Sequence, residues 1–239
     1  MKKLYQKNEL TFAILWIAAY VVLFSLSDGL SEATGIPKLF TMFLSIAMAV
    51  VLIGFIRQNS LKTYYGLCGV RGSMKNYLYF LPLILLSTCN LWNGLAMPGN
   101  LLKALPAIVT MTMAGLLEEL IFRGLLFKAM SKENPKAAII VSSLTFGMGH
   151  IVNLLNGAPV PDTLLQIAYA TAIGYLFIVI FLKSGSIVPC IIAHCVINGT
   201  SAFGRSAGTW GDILSALALV IIPVGYALWL QRKGAEHAA

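Results

Sequence analysis

Residues 104–130 read ALPAIVTMTMAGLLEELIFRGLLFKAM. The segment is long and apolar enough to cross a bilayer, yet it sets two acids side by side, Glu118 and Glu119, with Arg123 one helical turn later. Comparable stretches carry nothing of the kind: between Thr41 and Arg57, and between Thr163 and Phe181, no ionisable side chain other than tyrosine occurs. An ionisable group at bilayer depth costs a few kcal/mol or more, so it marks a functional site by default and needs polar partners inside the same protein.

The rest of the chain reads as the surroundings such a segment requires. It is 58% apolar and 11% charged over 239 residues, with a mean hydropathy of +0.82; a soluble domain is about 25% charged. Apolar runs between polar or turn-forming breaks predict eight spans, at roughly 10–27, 39–56, 77–92, 104–130, 136–152, 163–182, 187–203 and 212–230. The third is short, with Pro82 placed to bend it, and the fourth is long enough to tilt or protrude. No linker, low-complexity tract or internal repeat divides the chain. The expectation is an all-α polytopic bundle forming one domain over 1–239, with the chemistry in 104–203.

The net charge of +8 raises the question of nucleic acid, and the distribution answers it. With the N-terminus cytoplasmic, thirteen basic residues fall on that side: Lys2, Lys3, Lys7, Arg57, Lys62, Arg71, Lys75, Lys128, Lys132, Lys136, Lys183, Arg232 and Lys233. Three fall on the other, Lys38, Lys103 and Arg205. This is a positive-inside bias. It predicts both termini inside and leaves no charge pattern that calls for nucleic acid. The first span resembles a signal peptide, with Ser25-Leu26-Ser27 as a weak cleavage site, but seven further spans favour an uncleaved anchor. Cys68, Cys89, Cys190 and Cys195 form no C-x-x-C pair and read as small buried hydrophobes.

Three polar clusters interrupt the later spans. Glu118 and Glu119 lie about 100° apart on a helix and point different ways. Glu119 and Arg123 are i,i+4 with the acid first, the favourable order for an ion pair, which leaves Glu118 to face a cavity. The bland alternative is a buried ion pair beside one protonated acid. His150 ends the small-residue segment Phe146-Gly147-Met148-Gly149-His150, whose glycines admit a close neighbour; a lone histidine there is otherwise an interfacial hydrogen-bonder. His194 and Asn198 share one helix face and can donate to a carbonyl oxygen that becomes negative, or can simply join two helices. Counted from the cytoplasmic side at 1.5 Å per residue, Glu118 lies about 20 Å deep, His150 about 22 Å, His194 about 12 Å and Asn198 about 18 Å. Helix-joining contacts acting independently would not require so similar a layer.

Together E-E-x-x-x-R (Glu118, Glu119, Arg123), F-x-x-x-H (Phe146, His150) and H-x-x-x-N (His194, Asn198), in this order on successive apolar segments, resemble the CPBP family of CAAX-type prenyl endopeptidases and bacteriocin-processing enzymes, also called Abi. The motifs cover 118–198 without departure. The resemblance implies an intramembrane, glutamate-dependent endopeptidase opening to the cytoplasmic side; the small size and lack of extra domains favour a prokaryotic plasma membrane and a peptide-processing or immunity role. By position, Glu118 with His150 would hold and activate water, His194 and Asn198 would form the oxyanion hole, and Glu119, Arg123 and Phe146 would support them. The chemistry is sound, since a carboxylate in an apolar site is a stronger base than one in water. No cofactor is implied. The expected partners are a peptide or protein substrate, lipid-modified in some relatives, and the bilayer itself.

Other readings compete. No H-E-x-x-H is present, but Cys190, His194, Glu118 and His150 make a conceivable zinc set. Cysteine catalysis through Cys195 is disfavoured because His194 points about 100° away. A proton-coupled carrier would also bury Glu and His, yet no inverted repeat is visible. A non-catalytic immunity protein would have no use for the complete polar set.

Overall fold

The computed structural model describes residues 1–72, 80–206 and 208–235, side chains of 233–235 excepted. The described residues form helices joined by turns and irregular segments, with a single isolated antiparallel bridge, Leu95 to Gly204. In chain order they are α1 (Lys2–Lys7), α2 (Glu9–Ala33), α3 (Leu39–Gln58), α4 (Leu81–Ser87), α5 (Leu101–Glu118), a π-helical segment (Glu119–Leu126), α6 (Phe127–Ser131), α7 (Pro135–Met148), α8 (Val152–Leu155), α9 (Val160–Ser184), α10 (Val188–Thr200) and α11 (Thr209–Ala235).

Among the described residues six helices are long and apolar enough to cross a membrane: Glu9–Ala33, Leu39–Gln58, Leu101–Ser131, Pro135–Leu155, Val160–Ser184 and Thr209–Arg232. Of the expected eight spans, six correspond to these helices and one to a shorter apolar helix, Val188–Phe203, about 24 Å long at 1.5 Å per residue. Of the expected span 77–92, residues 77–79 lie outside the described residues; the remainder is α4 and the short turn Cys89–Leu91. Pro82 occupies the first turn of α4, where a missing N–H is tolerated, so it starts a helix where a bend was expected. The fourth span is the long one. At 31 residues it measures about 46 Å, against a hydrocarbon core of about 30 Å.

Helix starts follow ordinary capping: Asn8, Asn100 and Asn134 each accept from a backbone N–H three residues on, removing an orphan donor. Close packing of α5, α7, α9 and α10 rests on glycines. A Cβ on Gly115 would come within 2.9 Å of the His194 and Cys195 backbone, and one on Gly147 within 2.8 Å of the Ile167 carbonyl. Gly149, the other glycine expected to admit a neighbour, has none within 4 Å.

The two ends of the bundle differ. At one end Glu9 binds Lys132 at 2.9 Å and Tyr64 at 3.0 Å, and Arg71 N–H donates to the Ser184 carbonyl at 2.8 Å. At the other, Lys38 pairs with Asp28 and Asn153 donates to Gln166 at 2.8 Å. The first gathers the described members of the basic set; the second holds Lys38, Lys103 and Arg205.

Candidate active site

The site is built where the α5 helix widens. From Glu119 to Leu126 the backbone bonds i→i+5, with Phe127 N–H donating to the Phe122 carbonyl. Such widened turns are rare and concentrate at functional sites. All eight residues of the segment are buried.

Glu119 is fully buried and lies 3.0 Å from the equally buried Arg123. The guanidinium is held chiefly by charge and by rings: its carbon sits 4.1 Å from the Phe146 centroid and 5.5 Å from that of Phe177. Its nitrogens and Glu119 Oε2 have no well-aligned hydrogen-bond partner among the described residues. Gly174 makes room for this sandwich, since a Cβ there would lie 3.0 Å from Arg123 and 3.1 Å from Phe146.

Glu118 has a different environment. Its side chain is 15% exposed and reaches a cavity of about 200 Å³. Tyr20, on α2, donates to Oε1 at 2.7 Å, while His194 Nε2 lies 3.3 Å from Oε2. His194 also places Nδ1 2.8 Å from Glu119 Oε1, so one imidazole spans both acids. A carboxylate only accepts, and Nδ1 must therefore carry a proton wherever Glu119 is ionised. Glu119, Arg123, Glu118 and His194 then sum to zero charge with the second proton on either Glu118 or His194 Nε2.

His150 and Asn198 line the same cavity, with Phe146 and Phe122 at its floor. His150 Nδ1 is 3.3 Å from the carbonyls of Phe146 and Gly147. Carbonyls accept, so Nδ1–H is the donor, and in the neutral ring Nε2 is then the acceptor. Phe146 orders the surroundings: its ring stands edge-to-face on both His150 and His194, at 5.5 and 5.7 Å. All seven residues singled out from sequence are thus found in one cluster. Three others in it were not anticipated: Tyr20, Phe177 and Gly174. A tyrosine in an apolar span and a glycine between helices are common, and nothing in their spacing distinguishes them.

The conceivable zinc set is not assembled. Cys190 is fully buried and turns its thiol to the Phe177 carbonyl at 3.5 Å, and no group of three or more His, Cys, Asp or Glu in metal-holding geometry occurs among the described residues. Cys195 likewise donates to the Thr112 carbonyl at 3.2 Å.

The cavity runs from the buried Phe122 and Phe146 to the exposed Asn156. Lys38 and Asp28 are at its mouth, which belongs to the end opposite the basic one. The N-terminus and the mouth thus lie at opposite ends of the bundle.

Residues 100–200 match the family model described as type II CAAX prenyl endopeptidase Rce1-like. No curated protein and no solved structure gives a significant match.

Proposed function

We propose, from the match of residues 100–200 to the type II CAAX prenyl endopeptidase model, that this chain hydrolyses peptide bonds with a glutamate-activated water and no metal. The observation that supports this most is the unequal treatment of the two acids: Glu119 is sealed against Arg123, while Glu118 is positioned at both oxygens and reaches the cavity.

In the proposed reaction, water lies between Glu118 and His150 Nε2. Glu118 takes one of its protons as the oxygen attacks the scissile carbonyl carbon. The oxyanion receives hydrogen bonds from His194 Nε2–H and the Asn198 amide, a contribution often worth about 3 kcal/mol. Glu119, bonded to Nδ1, holds the ring in the orientation that this donation needs. Collapse of the intermediate breaks the C–N bond, and the proton held by Glu118 passes to the leaving nitrogen. Arg123 offsets Glu119 and reacts with nothing.

The substrate we favour is a membrane-associated or precursor peptide, in processing or bacteriocin-related maturation and immunity. A prenylated C-terminus is the alternative named by the family description. The test compares membrane peptides from cells carrying the active chain, Glu118→Ala or His150→Ala. Both variants are expected to stay folded in the membrane and to let one class of peptide accumulate uncut. Normal cleavage by both would end the assignment. Purified protein treated with a chelator and shown to be metal-free is expected to keep full activity; loss restored by zinc would return the metalloprotease reading.

A further inference from the structure

Two independent features of the molecule bear on which side of the membrane the cavity serves. The first is its direction. Its floor is Phe122 and Phe146, 4% and 3% exposed. Its mouth is formed by Asp28, Lys38 and the exposed Asn156, at the ends of α2 and α8 and the start of α3. Thr110 hydroxyl lies 3.5 Å from the Lys38 carbonyl, which sets the level of the mouth on α5. Glu118 is eight residues further along, about 12 Å below that level at 1.5 Å per residue. From the basic end, Tyr20 is eleven residues into α2, about 16 Å. The site is therefore nearer the mouth, and it opens there.

The second feature is charge. Among the described residues the mouth end carries Lys38, Lys103 and Arg205 against Asp28, Glu32, Asp162 and Asp212. Lys38 is neutralised by Asp28. The other end carries the remaining lysines and arginines except Arg123, against Glu9 and Glu133. Lysine and arginine bias in short loops sets orientation, and the basic side stays in the cytoplasm. Turning the molecule over would place the whole basic set outside.

We infer that the cavity opens on the extracytoplasmic face, and that its substrates are segments of membrane-anchored polypeptides presented at the outer leaflet. This rests on the endopeptidase reading for the chemistry, and on charge and shape alone for the side. It disfavours prenylated C-termini, which are cytosolic, and excludes delivery of substrate from the cytosol. It also sets a reach. An extended chain advances about 3.3 Å per residue, so about four residues must pass the mouth before a carbonyl meets Glu118. The mouth supplies side-chain amides at Asn153, Asn156 and Gln166 that suit an extended backbone.

The experiment reads orientation without needing activity, so its failure is distinct from failure of the endopeptidase reading. Single cysteines, Asn156→Cys at the mouth and Lys62→Cys at the basic end, are introduced after replacement of Cys68, Cys89, Cys190 and Cys195. Bacterial spheroplasts are treated with a membrane-impermeant maleimide before and after lysis. Asn156→Cys is expected to label before lysis and Lys62→Cys only after it. The reverse pattern overturns the inference. Should the cysteine-free chain fail to accumulate, an epitope inserted after Gly157, where a Cβ meets nothing within 4 Å, is probed with antibody on the native background. Detection on intact spheroplasts supports the outward mouth, and detection only after lysis refutes it.

Discussion

Glu118 accepts from a tyrosine hydroxyl on one oxygen and faces an imidazole on the other, and these two contacts give the carboxylate its orientation. Tyr20 is a positioning residue, because its partner is the acid and not the substrate. Removing a hydrogen bond to a charged group costs about 1.5–3 kcal/mol, so Tyr20→Phe is expected to lower kcat about ten- to a hundredfold, with KM little changed. Tyr20→Ala should add a packing loss against Phe24, whose ring lies 4.3 Å away; steady-state kinetics with a thermal melt of each variant separates the two effects. An unchanged kcat in Tyr20→Phe would remove the residue from the proposed site. Sequence alone identified the acids, both histidines and Asn198 because each is costly in lipid. Tyr20 escaped notice because a tyrosine in a span is cheap.

Helices meet closely at this site because glycines permit it. Gly115 lets α5 touch the α10 backbone at His194, which carries the imidazole to both glutamates. Gly115→Ala would force those backbones apart, an overpacking that costs about 1–3 kcal/mol. The expected result is a lower melting temperature in detergent and lost cleavage together. Gly54→Ala, where no atom lies within 4 Å of the added Cβ, is expected to change neither. Helix pairs were not legible beforehand: hydropathy gives the span, but which face of a uniformly apolar helix meets which neighbour has no period to reveal it. The π-helical turn was equally hidden, since residues 119–126 have no backbone-breaking residue other than Gly124. The length of α10 was not legible either, because an apolar run looks the same whether its helix completes the crossing or stops.

Across the whole molecule, the first span changes from anchor to component. It supplies Tyr20 to the acid, and its Glu9 joins Tyr64 and Lys132 at the basic end. Deletion of residues 1–33 is therefore expected to abolish cleavage even where the rest inserts, and an N-terminal tag should remain on the active protein; active protein lacking the span would contradict this. The sequence by itself determined the class of molecule, the apolar segments and the charge asymmetry of the ends, and it singled out seven residues that pack into one cluster. Each follows from a local energetic penalty or a local length, and such quantities can be summed along a chain. Only the tertiary structure decided that His194 spans both glutamates, that α2 reaches the acid, and that the cavity opens at the end away from the basic residues. Those depend on how helices pack against one another, and in a chain this apolar many packings satisfy the same hydropathy.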